Sequence, residues 1–367
     1  MRRCRGAAAA AALLALPLAC TNIQSRPGAQ SGPSSAPRAS AGCGPTSVSR
    51  SVRLNRPRSV VVDRSCNLYV ADTNADRVLK VEPAGTVTAL AGGGTAAPAP
   101  GTPAAHARLA GPEALSIDAG GNLYVGTDDS RVLKVAPDGS LAIAAGNGSC
   151  GTGGPPSGPA GQAAVCVPTG LATDGRGDLY IADGGNRYLS RVAPGGAISV
   201  VAGIGERESS GDDGPPALAR IGDPQGLAVD AAGPLYVSDG YSTTVRKIAG
   251  GRISRVAGGG GSSSPARQPA LQADLYPQGL ALDGHGNLNI ADDLHHHVRR
   301  MGPDGTLETV AGGGGSGWGG DGGPATAANL RFPRGVALDA SGDLYIADTG
   351  NDRVRRVSRD GVISTLI

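Results

Sequence analysis

One pattern occurs six times along the chain, and this repetition constrains the fold more than any other feature. Each copy contains a tripeptide similar to Leu-Tyr-Val, with an aspartate five residues before its leucine and a proline eleven residues before it. The tripeptides begin at Leu68, Leu123, Leu179, Leu235, Leu288 and Leu344, which are 55, 56, 56, 53 and 56 residues apart. The prolines are Pro57, Pro112, Pro168, Pro224, Pro277 and Pro333. Repeats of this length, built from short apolar runs and turn residues, predict a β-propeller with one blade per repeat.

Each repeat contains four short runs with strand character. In the last repeat these runs are residues 335–338, 344–347, 354–357 and 362–365, and Asp339 opens the turn between the first two. The first run is apolar throughout, whereas the later runs alternate apolar residues with Arg, Ser or Thr. This gradient is expected when the first strand lies at the propeller axis and the last one meets solvent. We therefore predict an all-β, six-bladed propeller of four-stranded antiparallel blades.

The N-terminal segment has the composition of an export signal. Three of the first five residues are arginine, and the apolar stretch at residues 7–18 is too short to span a bilayer as a helix. The following Ala19-Cys20 resembles a bacterial lipobox. Two outcomes are expected as alternatives: lipidation of Cys20 after cleavage, or secretion without an anchor.

The chain divides into a signal peptide at residues 1–19, a flexible tether at 20–44 and a propeller at 45–367. The tether is rich in Ser, Pro, Gly and Ala and has too few large apolar side chains to form a core. The predicted blades are approximately residues 54–94, 107–148, 163–205, 219–261, 273–315 and 328–367. Ring closure has two alternatives, namely packing of blade 6 on blade 1 alone or an added strand from about residues 46–52.

Cysteine usage also indicates export. Once the signal peptide and the candidate lipidation site are set aside, four cysteines remain, which is the even number expected of a protein with disulfides. Of the three possible pairings we favour the nearest-neighbour one, which joins Cys43 to Cys66 and Cys150 to Cys166. A metal site is the competing interpretation, but the spacings are not those of CxxC pairs.

Residues 339–357, which begin Asp-Ala-Ser-Gly-Asp-Leu-Tyr-Ile-Ala-Asp, resemble an NHL repeat. So do residues 67–74 and 233–239, and the connection at 319–326 is similar to those of bacterial NHL arrays. The resemblance covers about residues 45–367. It implies a six-bladed NHL propeller in a bacterial exported protein, with a lipoprotein as the expected form.

The residue after each proline begins the innermost strand and is expected at one mouth of the central channel. It is polar in all six repeats but differs in identity, as in a surface that recognises a ligand. These residues are Arg58, Glu113, Thr169, Gln225, Gln278 and Arg334. The long connections at residues 202–222 and 311–331 are expected on the same face. Their side chains that would shape a partner site are Trp318, Asp212, Asp213 and Asp321. The alternative is that these residues only line a wet channel mouth.

Two series of recurrent aspartates are interpreted as structural. The first series is expected to accept backbone N–H groups in the hairpin turns, and comprises Asp63, Asp118, Asp174, Asp230, Asp283 and Asp339. The second series comprises Asp72, Asp183, Asp239, Asp292 and Asp348. An arginine often follows five residues later, so we predict ion pairs within the blade, as between Asp72 and Arg77 or Asp348 and Arg353.

Neither a metal site nor a cofactor is predicted. His295, His296 and His297 are adjacent, and neighbours on an extended chain point to opposite faces, while His106 and His285 are expected elsewhere. Gluconolactonase-type propellers hold a divalent cation with Glu, Asn and Asp side chains of the channel, and streptogramin lyases pair a histidine with a glutamate there. The inner strands of this chain offer no such set.

These observations favour an envelope-displayed binding module over an enzyme. The net charge of +2 shows no basic footprint, so nucleic acid is not an expected partner. The expected partner is a protein or glycan of the cell envelope, with membrane contact only through a lipid on Cys20. Two alternatives stay open: a lactonase-like hydrolase or lyase at the channel mouth using Glu113, and a structural spacer or sensor.

Overall fold

A computed structural model describes residues 43–45, 48, 52–151, 154–230, 233–264 and 266–367. They form six antiparallel sheets, each built from four consecutive strands that we call a, b, c and d, so the prediction of a six-bladed propeller of four-stranded blades is confirmed. The predicted signal peptide, Cys20 and the tether up to residue 42 lie outside the described residues.

Every strand a begins at one of the recurrent prolines. The a strands are Pro57–Val62, Pro112–Ile117, Pro168–Thr173, Pro224–Val229, Pro277–Leu282 and Pro333–Leu338. The b strands are Leu68–Asp72, Leu123–Thr127, Leu179–Asp183, Leu235–Asp239, Leu288–Asp292 and Leu344–Asp348. The c strands are Arg77–Val81, Arg131–Val135, Tyr188–Val192, Thr244–Ala249, His297–Met301 and Arg353–Val357. The d strands are Val87–Gly92, Leu141–Ala145, Ala197–Ala202, Arg252–Gly258, Thr306–Ala311 and Ile363–Thr365.

Within the described ranges the helical elements are short 3₁₀ turns. They are Thr73–Ala75, Ala104–His106, Ala160–Gln162, Pro216–Leu218, Ala270–Gln272, Ala325–Ala327 and Thr349–Asn351. The connections also contribute two short strands, Gly158–Pro159 and Gln268–Pro269, which pair with the d strands of blades 3 and 5. Across this part of the chain no helix is long and apolar enough to cross a bilayer.

The first aspartate series builds the turn between strands a and b. Asp63 accepts hydrogen bonds from the backbone and side-chain amides of Asn67 at 2.8 and 2.7 Å. The turn also receives a bond that the sequence interpretation missed, from the hydroxyl of Tyr69 to the same carboxylate at 2.9 Å. Burial and this carboxylate together raise the pKa of Tyr69. The tyrosine of the repeat is therefore selected by the turn as well as by the core.

The second aspartate series fixes the entry to strand a. Asp72 is fully buried and accepts the backbone N–H of Asn55, two residues before Pro57, at 2.6 Å. Its other carboxylate oxygen accepts Arg77 Nε at 2.8 Å, so the predicted Asp72–Arg77 pair is confirmed. Burial raises the pKa of Asp72, against these bonds.

The corresponding pair in blade 6 was predicted wrongly. Asp348 accepts the side-chain amide of Asn351 and lies 3.6 Å from Arg355 Nη1, whereas Arg353 instead packs over the ring of Trp318 at 4.7 Å. The buried Arg355 thus takes the place beside the carboxylate of Asp348. Arg353, the first residue of strand c, lies against Trp318 instead.

Glycine at the third position of strand a lets neighbouring blades approach at the axis. A Cβ on Gly226 would lie 2.3 Å from the carbonyl oxygen of Gln278, and one on Gly279 would lie 2.4 Å from that of Arg334. Since such contacts are too short for any side chain, the inner strands of these blades pack backbone to backbone. The apolar residues of adjacent blades then form the core clusters between sheets.

Among the described residues the ring closes by packing of blade 6 on blade 1; of the segment 46–52, the alternative closing strand, only residues 48 and 52 are described. The sheet of blade 6 contains four strands, all from the C-terminal repeat, and its inner strand packs on that of blade 1. Thr349 Oγ1 donates to the carbonyl of Pro57 at 2.6 Å, and Arg56 N donates to Asp352 at 2.7 Å. Leu54 joins a core cluster that contains residues of both blades.

Both predicted disulfides are present. Cys43 pairs with Cys66 in the a–b turn of blade 1, and Cys150 pairs with Cys166 across the connection between blades 2 and 3. The Cys43–Cys66 bond lies at the end of blade 1 opposite Pro57, and Gly44 N donates to Asp339 in the equivalent turn of blade 6 at 3.2 Å. Residue 43 is thus held on the face where strand a ends.

The connections between blades are packed structure rather than open loops. Asp212 and Asp321 were expected in a partner site. Instead, Asp212 accepts a hydrogen bond from Arg246 at 2.8 Å, and Asp321 accepts one from Arg355 at 2.7 Å. Both arginines lie in strand c and are fully buried. The middle of the 311–331 connection also runs beside strand d, where Gly322 N donates to Ile363 O at 2.8 Å. Long stretches of these connections are therefore not at the end of the ring where the a strands begin, contrary to expectation.

Candidate functional site

The six residues after the prolines surround one opening of the central channel. We call this end of the ring the mouth face; strand a begins there and strand b ends there. All six side chains line the same cavity of about 300 Å³, below which the a strands present mainly small and apolar residues. The sequence thus located this ring correctly, while a ligand role for its members stays a prediction. The residues are Arg58, Glu113, Thr169, Gln225, Gln278 and Arg334.

Charge is concentrated on one side of this ring. Arg58 forms an ion pair with Glu113 of the next blade, and Arg334 lies 3.6 Å from Asp293 of blade 5. The carboxylates are nearly buried, with 8% of each side chain exposed, whereas the arginine side chains are 30% and 27% exposed. The cations therefore stand outermost, where an incoming ligand would meet them first.

Asp128 completes a group that we call the mouth cluster: Arg58, Glu113, Asp128, Asp293 and Arg334. Asp128 and Asp293 occupy the position directly after strand b, a second position at which the repeats differ in identity. The sequence interpretation missed both. Comparing that position across the six repeats would have found them, since the others carry Thr73, Gly184, Gly240 and Thr349.

Burial perturbs every acid of the mouth cluster. It raises the pKa of Glu113, although the charge of Arg58 acts in the opposite direction. It likewise raises the pKa of Asp128 and of Asp293. Burial lowers the pKa of Arg334, and the nearby charge of Arg58 adds to that effect. These charges are held close together in a partly desolvated place, as is frequent at functional sites.

Several polar atoms of the mouth cluster make no hydrogen bond within the part of the chain that the structure describes. They are Arg58 Nε, Arg334 Nε and Asp293 Oδ1, and each is shielded from solvent. Buried donors and acceptors are normally paired, so ordered water would supply the missing partners, or a polar ligand once these side chains move. The arrangement is suited to bind a polar group at the mouth.

The other half of the ring is neutral and more fully bonded. Thr169 donates to the carbonyl of Pro224 at 2.6 Å, and the side-chain amide of Gln225 donates to Asp223 at 2.8 Å. Gln278 also lines the opening. The mouth is thus asymmetric, with charge on blades 6, 1, 2 and 5.

Trp318 lies away from the channel. It is 62% exposed, and Arg353, the first residue of strand c of blade 6, packs over its ring. The structure therefore does not bring it together with the channel ring. Asp213, in the connection before blade 4, lies near the start of strand d through its backbone N–H bond to Ile253.

The adjacent histidines have individual structural partners. His295 Nδ1 bonds to Asp292 at 2.9 Å, and His296 adopts a left-handed backbone and packs edge-on against Phe332. The backbone is not extended through all three, because His295 and His296 form the b–c turn and only His297 is in a strand. Within the described ranges no three His, Cys, Asp or Glu side chains are arranged to hold a metal ion.

A family model described as "Teneurin NHL domain" matches residues 20–206 and 313–367. Teneurin-m of Drosophila melanogaster is 27% identical over 278 residues, which are 68% of this chain but only 10% of that protein. The chain thus corresponds to a small part of its relative's length.

Solved structures with the same architecture include enzymes. A streptogramin B lyase superposes with a TM-score of 0.52 at 12% identity, covering 86% of this chain and 84% of the lyase. A gluconolactonase of Xanthomonas campestris gives a TM-score of 0.56 at 16% identity, covering 85% of this chain and 87% of that one. At these identities the likeness concerns the fold alone.

Proposed function

Because the chain belongs to the Teneurin NHL-domain family, we propose that it is an exported binding propeller that holds a protein or glycan partner at its mouth face. One observation carries the proposal: the mouth cluster places partly exposed arginines, and buried polar atoms without a partner among the described residues, around one opening. Surfaces built this way recognise polar partners, and their charges set orientation and specificity.

Export and display are part of the same proposal. The two disulfides are typical of an oxidising compartment. Lipidation of Cys20, or secretion without it, is the proposed route to the envelope. Cys43 is tied to the face opposite the mouth cluster, so an anchor on the preceding residues would leave the mouth open to partners.

The proposal is tested by capture from envelope fractions, with the full chain as bait. We expect the Arg334→Glu variant to lose partners that the unchanged chain retains, because it reverses a charge at the mouth. Arg176→Glu is the matched control, since Arg176 is exposed on the opposite face of blade 3. Equal capture by all three proteins, each with an unchanged melting temperature, would refute a mouth-face partner.

A hydrolase or lyase is the second candidate function. It is favoured by the neighbouring carboxyls of Glu113 and Asp128, whose pKa values are both raised by burial, as in acid–base pairs. No cofactor is proposed for it. Its test is turnover of lactone substrates, with and without divalent cations, by the unchanged chain and by Glu113→Gln. Turnover that Glu113→Gln abolishes would support it, and no turnover under any condition would dismiss it.

A further inference from the structure

A groove of about 570 Å³ opens on the mouth face between blades 3 and 4, outside the mouth cluster. We call it the blade 3–4 groove. Its lining residues are Gly184, Arg187, Arg207, Gly222, Asp223, Gly240 and Tyr241. They come from two b–c turns and from the connection between the blades, which meet only in the folded ring.

Two of the glycines that line the groove stand where the other blades carry a side chain. Gly184 and Gly240 occupy the position after strand b, where blades 2 and 5 carry aspartate and blades 1 and 6 carry threonine. A Cβ on Gly184 would lie 2.8 Å from Thr169 Cγ2, and one on Gly240 would lie 2.8 Å from an oxygen of Asp223. A side chain at either position would have to displace Thr169 or Asp223, whereas the other four blades hold an aspartate or a threonine at the equivalent position.

The two arginines of the groove have no hydrogen-bond or ion-pair partner for their guanidinium groups among the described residues. The acids beside Arg207 in sequence are already engaged: Arg220 binds Glu206 at 2.8 Å and Glu208 at 2.7 Å. Arg187 lies half-buried in the b–c turn of blade 3 and has a positive φ of 62°. Two guanidinium groups thus border one groove.

Asp223 is the single carboxylate among the lining residues, and it is committed to the protein. One of its oxygens accepts the side-chain amide of Gln225 at 2.8 Å. Burial raises its pKa, although the charges of Arg187 and Arg207 oppose that effect. Two cations against one partly buried acid leave the groove with a positive balance.

Tyr241 adds a flat apolar surface to the rim. It is 52% exposed, and a Cβ on Gly222 would lie 2.8 Å from its Cγ atom, so one part of the side chain lies against bare backbone. The rest of the ring faces solvent. An aromatic side chain held in this way can pack against the C–H face of a ring-shaped ligand.

We propose that the blade 3–4 groove binds the carboxylate of an acidic sugar, with the guanidinium groups of Arg187 and Arg207 on the carboxylate and Tyr241 against the sugar ring. Guanidinium groups recognise carboxylates through paired, charge-assisted hydrogen bonds. This inference rests on the proposed function, because it names a ligand class for the same face. An acidic glycan is favoured over a bare anion because an exposed ring stands beside the two cations.

The test uses trigalacturonate, its methyl ester and inorganic phosphate as probes, with titration calorimetry on the full chain. We expect trigalacturonate to bind, and Arg187→Ala and Arg207→Ala each to weaken binding at least tenfold. Arg176→Ala, on the opposite face of the same blade, should bind as the unchanged chain does. Tyr241→Ala should weaken binding several-fold, whereas Tyr241→Phe should retain it, because the ring and not the hydroxyl makes the contact.

Any of three results with the sugar probes would overturn the inference: no binding of trigalacturonate by the folded chain, equal binding by the arginine variants, or equal affinity for the methyl ester. Phosphate that binds as tightly as trigalacturonate would also overturn it, since the groove would then recognise an anion without its sugar. Capture that Arg334→Glu abolishes, with no trigalacturonate binding, would leave the proposed function standing while the sugar assignment fails. If Arg334→Glu left capture unchanged and trigalacturonate did not bind, the proposed function and the sugar assignment would both fail.

Discussion

Arg355 lies in the middle of strand c of blade 6 and donates to the carboxylate of Asp321, thirty-four residues earlier, at 2.7 Å. Its side chain is fully buried, and it also donates to the carbonyls of Trp318 and Asn329. The same relationship joins Arg246 to Asp212 in blade 4. A buried arginine thus fastens each of these two connections to the blade that follows.

Removal of this fastening is expected to destabilise the propeller. Arg355→Leu leaves Asp348 buried near no cation and leaves the connection's carbonyls unbonded, so we expect a loss of about 3 kcal/mol in the free energy of unfolding. Asp321→Ala removes one charge-assisted bond and should cost about 1–2 kcal/mol. Chemical denaturation measures both, with the exposed Asp360→Ala as control. Equal midpoints for Asp321→Ala and Asp360→Ala would contradict the fastening role.

Blade 5 carries an arginine at the same strand position without the matching acid. Arg299 is 1% exposed, and its Nε has no partner among the described residues. Its Nη2 donates to Ser264 O at 3.2 Å. Burial lowers its pKa. Blades 1 and 2 have Leu79 and Leu133 at this position, which shows that leucine fits the blade.

We therefore expect Arg299→Leu to cost less than 1 kcal/mol, or to stabilise, because an incompletely paired buried charge is replaced by an apolar side chain. The measurement is the denaturation midpoint beside that of Arg355→Leu. Equal losses in the two variants would show that the acid in the connection contributes nothing.

Within the part of the chain that the structure describes, Asp183 in blade 3 has no arginine partner of the kind that Asp72 and Asp348 have. It is fully buried, and burial raises its pKa to about 6 in spite of hydrogen bonds from Asn186 and Cys166. A raised pKa in the folded state favours the protonated form. The associated stability is complete below the unfolded value near 4 and is lost as pH rises through about 6.

Asp183→Asn should remove this pH dependence. At each pH we compare the free energy of unfolding of the variant with that of the unchanged chain. We expect this difference to favour the variant more at pH 8 than at pH 4, by on the order of 2 kcal/mol. Urea unfolding at both pH values measures it. A variant whose relative stability is the same at the two pH values would show that burial does not raise the pKa of Asp183.

The pKa values of His295 and His297 are shifted in opposite directions. The hydrogen bond to Asp292 raises the pKa of His295, and the charge of Asp274 adds to it, while burial lowers the pKa of His297. For His295 the stability gained from protonation is complete below about 6.5, the ordinary value, and disappears as pH rises through the higher folded value.

His295→Gln is therefore expected to destabilise the chain more at pH 5.5 than at pH 8.5. His297 is present in both proteins, so its own contribution cancels in the comparison. Melting temperatures at the two pH values check the prediction, with His106→Gln in an exposed position as control. A larger loss at pH 8.5 would mean that His295 is neutral when folded.

The number of blades, their strand register and the ring of residues at the mouth could all be predicted, because each depends on a local pattern repeated six times. Tertiary pairings could not. Arg355 has the alternation of a solvent-facing strand residue, and nothing local shows that a connection folds over it. For the same reason Arg353 was assigned the partner that Arg355 holds.

The candidate site divides in the same way. Arg58 and Glu113 were found singly, but their ion pair depends on the close approach of blades 1 and 2 at the axis. Asp128 was passed over because blade 2 departs from the repeat at that turn. The groove arginines lie outside the repeated pattern, so only the folded ring brings Arg187 and Arg207 to one place.

The bond between Cys43 and Cys66 has a mechanical consequence. Tension applied through the residues that precede Cys43 would enter the ring covalently at the first blade's turn. The hydrogen bonds and apolar contacts that close the ring between Thr349 and Pro57 would then be outside the load path. The pulling force would then act on blade 1 before the contacts between blades 6 and 1 separate. After reduction of the disulfide, the same force would act on the residues that follow Cys43.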